Sequence, residues 1–201
     1  PAPQGDAMNQ AAATFHRYHR AELDLLSVLE VVLSRAPKLL KSGVPNQAFF
    51  KAANAALQKP DTEADGVGYV QVEFWLALAR DLELVANIDG KLEATGRADD
   101  FFAGSPTGRM NELREAWLNS REMNEFALNP ALELPALKRG RIVETASDIP
   151  IPERLMQARR ELVALVSTLP GETALPGLIR RIKAEAPNLL IDHDQDGSWR
   201  Q

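Results

Sequence analysis

Three groups of basic residues in the second half of the chain have the residue types and spacing that phosphate binding requires. They are Lys138, Arg139 and Arg141, then Arg159 and Arg160, then Arg180, Arg181 and Lys183. Arginine and lysine side chains donate to phosphate oxygens, so these groups are candidates for contact with a nucleic-acid backbone. The first group falls in a predicted loop. The other two fall on predicted helices, where an exposed polar face with ion pairs to Glu161 and Glu185 is the alternative interpretation.

A second pattern with chemical potential lies near the end of the sequence, where carboxylates alternate along the chain. Asp192, Asp194 and Asp196 are followed by Gly197, as at the start of a calcium-binding loop. The glutamate that closes such a loop would fall after the last residue, so a polar turn is the favoured interpretation. The sequence also has no cysteine, which excludes disulfides and a cysteine nucleophile. We predict no catalytic group, no metal site and no cofactor.

The elements that would position these groups are organised around residues 70–95. Apolar residues at helical spacing predict an amphipathic helix up to about residue 83. A β-hairpin is predicted over residues 84–95, because Asp89-Gly90 favours the positive φ angles of a tight primed turn. A helix followed directly by a two-stranded hairpin is typical of the second half of a winged-helix unit.

The polar side chains of this central helix do not favour DNA reading. Glu73, Asp81 and Glu83 are acidic and would oppose the release of counterions that accompanies phosphate contact. Lys91 on the wing is the one candidate contact that the hairpin offers. We therefore expect the helix and wing to serve in protein contacts or domain packing.

Composition and charge are those of an ordinary globular protein. The chain has 201 residues, 45% hydrophobic and 25% charged, with a net charge of −5. Residues 1–128 hold 13 basic and 18 acidic residues, whereas residues 129–201 hold 10 of each. The first half therefore lacks the basic bias of a duplex-binding domain. No apolar run predicts a membrane span and no secretory signal is expected, so a cytoplasmic setting is predicted.

Breaks in the helical pattern divide the chain into three segments. We predict a winged-helix domain at residues 13–128, preceded by a short frayed start. Repeated prolines and a glycine predict a linker at residues 129–152. Residues 153–201 are predicted to form a helical extension, or a truncated second winged-helix-like unit. The predicted fold class is mainly α, with one winged-helix unit, a two-stranded wing and this extension.

A family resemblance rests on four runs of sequence: 76–85 (LALARDLELV), 90–97 (GKLEATGR), 101–106 (FFAGSP) and 113–118 (LREAWL). They resemble bacterial helicase-associated proteins that carry a domain similar to the N-terminal region of XPB-type helicases. No helicase ATPase motif is present in the chain. The resemblance therefore implies an accessory, non-enzymatic module that accompanies DNA transactions.

Two functions follow from this reasoning. The leading hypothesis is an accessory or adaptor module of a DNA-processing assembly, with a protein partner and with nucleic acid as a further candidate ligand. The alternative is a winged-helix transcriptional regulator that uses the basic groups of the second half. No small-molecule substrate and no membrane partner are predicted.

Overall fold

The computed structural model describes residues 4–62, 69–121, 123, 125, 153–169 and 173–186, with side chains from residue 20 onward except those of residues 153 and 154. The described chain is mainly helical, as predicted, and contains a two-stranded antiparallel sheet. It divides into two compact units, Pro1–Ile149 and Pro150–Gln201.

The first unit contains five helices and the hairpin among its described residues. In chain order these are α1 (Gln4–Arg35), α2 (Gln47–Ala56), α3 (Val70–Asp81), β1 (Val85–Ile88), β2 (Lys91–Ala94), α4 (Gly96–Ala103) and α5 (Pro106–Asn119). The prediction of a frayed start was wrong, because α1 already begins at Gln4. Alanines at positions 7, 11, 12 and 13 have the highest helix propensity and explain the longer helix.

The core of this unit lies where α1, α2 and α3 meet the hairpin and the two later helices. Apolar residues three and four apart on α1 form one fully buried stripe, as expected for a core-facing helix. The cluster comprises Leu25, Val28, Leu29, Val32, Val44, Phe49, Phe50, Ala53, Leu57, Val72, Leu76, Leu78, Ala79, Leu84, Val85, Leu92, Ala98, Phe101 and Leu113. The tryptophans at positions 75 and 117 are partly buried and pack against it.

The hairpin has the predicted position and turn. β1 pairs with β2 in the register that places Ile88 opposite Lys91. The two residues between them, Asp89 and Gly90, have φ angles of 52° and 77°. These positive values are those of a primed turn, and they confirm the prediction from the Asp-Gly pair.

A short extended segment after α1, residues 37–39, adjoins the hairpin on its other side. Lys38 forms an antiparallel bridge with Lys91. The Leu39 N–H donates to the Gly90 carbonyl at 2.8 Å, and the Leu92 N–H donates to the Pro37 carbonyl at 2.9 Å. Residues far apart in sequence are therefore brought side by side along β2.

The second unit has two helices in its described part, α6 (Glu153–Ser167) and α7 (Leu175–Glu185), which contact each other. Both helices were predicted within two residues of these bounds. Leu155 and Ala158 of α6 are buried, whereas α7 has no buried residue. The predicted short helix near residues 131–139 lies outside the described residues.

Candidate interaction surface

Helix α3 directly precedes the hairpin, which is the position that the sequence predicts for a reading helix. None of its twelve residues is exposed. Two of its polar side chains are bound to backbone groups of the same unit. Arg80 Nη2 donates to the Gly43 carbonyl at 2.9 Å. Gln71 Nε2 donates to the Lys59 carbonyl at 2.9 Å. Gln71 and Arg80, which are the polar side chains of α3 able to donate to base edges, are therefore bound within the unit.

The N-terminus of α3 is capped by a residue from the preceding loop. Tyr69 stands at the N-cap position and provides no side-chain hydrogen bond. The carboxylate of Asp61 takes that role: Oδ2 accepts from the Gln71 N–H at 2.9 Å, and Oδ1 accepts from Gln71 Nε2 at 2.6 Å. Asn54 holds Asp61 in place through two reciprocal hydrogen bonds to its backbone, at 2.9 and 3.0 Å. A negative charge at this position also suits the helix dipole.

Glu73, one turn into α3, has an altered acidity. Burial, followed by the nearby carboxylate of Asp61, raises the pKa of Glu73 above its ordinary value. Both causes disfavour the charged form. Burial therefore reduces the negative charge that Glu73 contributes, and the surface of α3 is less acidic than its sequence suggests.

The hairpin presents a different environment. Lys38 and Lys91 lie directly opposite each other, and the two hydrogen bonds between their strands come from the flanking residues. The two lysines therefore form a non-hydrogen-bonded pair of an antiparallel ladder, in which the Cβ atoms lie about 5 Å apart. Both lysines are exposed. Within the part of the chain that the structure describes, neither lysine forms an ion pair or a side-chain hydrogen bond.

Two large apolar side chains border this lysine pair. Ile88 is opposite Lys91 on β1 and is 43% exposed. Leu40 follows Lys38 by two residues and is 50% exposed. Because directly opposed residues share a face and side chains alternate along a strand, all four lie on one side of this small sheet. We call Lys38, Leu40, Ile88 and Lys91 the wing face.

The charges around the wing face are mixed. Arg35 and Lys41 are exposed cations near it in sequence, and Asp89 and Glu93 are the neighbouring acids of the hairpin. The sequence reasoning identified Lys91 and missed Lys38. No local sequence signal points to Lys38, because its place opposite Lys91 arises from the pairing of residues 37–39 with β2.

The other predicted phosphate contacts differ in their exposure, and some lie outside the described residues. Lys138, Arg139 and Arg141 lie outside the described residues, as do Asp192, Asp194 and Asp196. Arg159 is only 3% exposed, so its guanidinium would have to become accessible before it could contact phosphate. Arg160, Arg180 and Lys183 are exposed. Arg181 Nε donates to Glu185 Oε1 at 2.6 Å, which is the local ion pair that the alternative interpretation predicts.

The described residues lack the features of two other classes of site. They contain no group of three or more histidine, aspartate or glutamate side chains that could hold a metal ion. None of the described helices combines the length and the hydrophobicity needed to cross a membrane.

Comparison with known proteins adds no relationship: no family model, curated protein or solved structure matches this chain.

Proposed function

We propose that this chain is a non-enzymatic accessory or adaptor module, built around a winged-helix unit, that serves a DNA-processing assembly. The order of elements in the first unit supports the winged-helix part. A helix, a short extended segment, two helices and a hairpin follow one another, and the extended segment pairs with the second hairpin strand. The helicase-associated setting rests on the sequence resemblance.

The observation that carries the adaptor function is the burial of α3. A reading helix must present arginine, asparagine or similar side chains to the edges of bases in the major groove. Here Gln71 and Arg80 are bound to groups of their own unit, and no residue of α3 is exposed. A winged-helix unit whose third helix has its donor side chains bound in this way acts through other surfaces. We infer that these surfaces contact a protein.

The transcriptional-regulator alternative depends on the exposed cations of the second unit, of which Arg160 on α6 and Arg180 and Lys183 on α7 are described. If these cations bind duplex DNA, the affinity must fall steeply with salt, because phosphate contacts release condensed counterions. An adaptor with a protein partner has no such requirement.

The test is fluorescence anisotropy of a labelled random-sequence duplex, titrated with the full chain at low and at moderate salt. We expect no saturable binding at moderate salt. Binding that is tight at low salt, weakens steeply with added salt and is still saturable at moderate salt would support the regulator and overturn the adaptor proposal.

A matched pair of variants assigns any binding to a surface. Arg180→Ala with Lys183→Ala removes two exposed cations from α7, and Lys51→Ala with Lys59→Ala removes two exposed cations from the α2 region. A regulator would lose affinity and salt dependence with the first pair and keep both with the second. Equal small losses of duplex affinity with both pairs would indicate non-specific charge attraction, which is compatible with the adaptor proposal.

A further inference from the structure

The wing face combines a pair of like charges with two partly exposed apolar side chains. Like charges directly opposite each other on neighbouring strands destabilise the pairing. Lys38 and Lys91 nonetheless face each other, and no carboxylate of the described residues forms an ion pair with them. A bound anionic group between the two ammonium groups would turn this repulsion into attraction.

The apolar part of the wing face narrows the chemistry of the partner. Ile88 and Leu40 remain 43% and 50% exposed beside the lysine pair. A partner that supplies only negative charge would leave these side chains in water. A partner that offers acidic and apolar side chains together would bury them and neutralise the lysines in the same contact.

We propose that the wing face binds an acidic protein segment in which glutamate or aspartate alternates with large apolar residues. Its carboxylates lie between Lys38 and Lys91, and its apolar side chains pack on Ile88 and Leu40. This inference rests on the proposed adaptor function and names the class of partner. The small size of the face implies a weak, transient contact.

The neighbouring acids favour a protein segment over nucleic acid at this surface. Asp89 lies in the turn of the hairpin, and Glu93 follows Lys91 by two residues on the same face. A phosphate backbone carries charge at every nucleotide and would meet both acids. A short acidic motif can place its carboxylates on the lysines alone.

The test is an NMR titration of the ¹⁵N-labelled full chain with three synthetic peptides of equal length. Their central sequences are Glu-Leu-Glu-Leu, Gln-Leu-Gln-Leu and Glu-Ser-Glu-Ser, each flanked by Gly and Ser. We expect the first peptide to shift the amide signals of Lys38, Ile88 and Lys91, and the other two to shift them much less. A response as large to the glutamine peptide, or no response to any peptide, would overturn the proposal.

Variants of the wing face separate charge from apolar contact. Lys38→Glu with Lys91→Glu should weaken binding of the first peptide by about tenfold or more, because each reversal places like charges in contact. Ile88→Ser should weaken it as well, and Lys51→Glu, a reversal of an exposed lysine on α2, should not. A loss of affinity with Lys51→Glu equal to that with the wing pair would count against a defined site.

Failure of this inference is distinguishable from failure of the proposed function. In the same titration, a random duplex that shifts the wing-face signals with a steep salt dependence would reassign this surface to nucleic acid. Duplex binding that depends on Arg180 and Lys183 would instead overturn the adaptor function, whatever the peptides do at the wing.

Discussion

Arg109 and Glu22, which are 87 positions apart in the sequence, form a bidentate ion pair that joins α5 to α1. Arg109 Nη2 lies 3.0 Å from Glu22 Oε2, and its Nε lies 3.2 Å from Oε1. The two side chains are only 13% and 10% exposed. Arg109 Nη1 also donates to the carbonyls of Phe102 and Gly104 at the end of α4. One guanidinium therefore fixes three helices.

We predict that Arg109→Ala lowers the free energy of unfolding by about 3 kcal/mol, because the carboxylate of Glu22 stays in a largely buried site without this cation. Urea denaturation followed by circular dichroism measures the change. Arg97 and Glu112 form the control pair, since their side chains are 41% and 42% exposed. Arg97→Ala should cost less than about 1 kcal/mol. Similar costs for the two variants would show that burial does not strengthen the Arg109 pair.

The contribution of Glu73 to stability should fall as the pH rises past the ordinary pKa of this carboxyl group. Burial, followed by Asp61, raises the pKa of Glu73 above its ordinary value of 4.5, so the folded state binds more protons than the unfolded state in that window. The contribution of Glu73 is fully present below 4.5 and is lost as the pH rises through the raised value. Glu73→Gln should therefore flatten this part of the profile and raise the free energy of unfolding at neutral pH.

Two further variants identify the causes in the same urea series. Asp61→Asn removes the neighbouring charge and leaves the burial of Glu73, so it should flatten the profile only in part. Glu30→Gln changes an exposed carboxylate on α1 and should leave the profile unchanged. If Glu73→Gln and the wild type had the same pH dependence, the ionisation of Glu73 would not be linked to folding.

The lysine pair of the wing face should cost stability in the free protein. Lys38→Glu replaces a like-charged opposite pair with an attractive one, and we expect it to raise the free energy of unfolding by about 0.5 kcal/mol. Lys41→Glu reverses an exposed charge that has no opposite residue in the bridge, and its effect should be smaller. A loss of stability with Lys38→Glu would contradict the repulsion on which the proposed peptide site is based.

The turn of the hairpin depends on the positive φ angle at Gly90. Its φ is +77°, and a Cβ placed there would meet no atom within 4 Å, so substitution acts through the backbone alone. We expect Gly90→Ala to lower the free energy of unfolding by about 1 kcal/mol. Gly96→Ala is the control, because Gly96 also faces open space and lies in α4 without a positive φ. A gain or no change is expected there, and equal losses at both glycines would contradict the turn argument.

Local signals in the sequence predicted most of the helices and the hairpin of the described chain. Ser105 and Pro106 mark the start of α5, and Ser105 Oγ accepts from the Gly108 N–H at 3.1 Å. Asp89-Gly90 likewise determined the turn and, through it, the register of the hairpin. Such signals succeed because caps and tight turns depend on residues within a few positions of one another.

The candidate site was less predictable, because its parts come from different segments. Lys91 was identified from the hairpin alone, but its partner Lys38 becomes visible only when residues 37–39 pair with β2. The acidic residues of α3 led us to predict that this helix does not read DNA, and this stays a prediction. The burial of α3 and its capping by Asp61 could not be predicted, because the first depends on packing against α1 and α2 and the second on a contact between Asp61 and Gln71, ten positions apart.

The sequence by itself determined the mainly helical class, the hairpin and its turn. The tertiary structure decided which side chains remain free to bind. It bound the side chains of Gln71 and Arg80 to Asp61 and to the Gly43 carbonyl. It also placed Lys38 opposite Lys91 at the hairpin. The physical reason is range: helix and turn preferences act within a few residues, whereas exposure and charge pairing arise only when distant segments pack against each other.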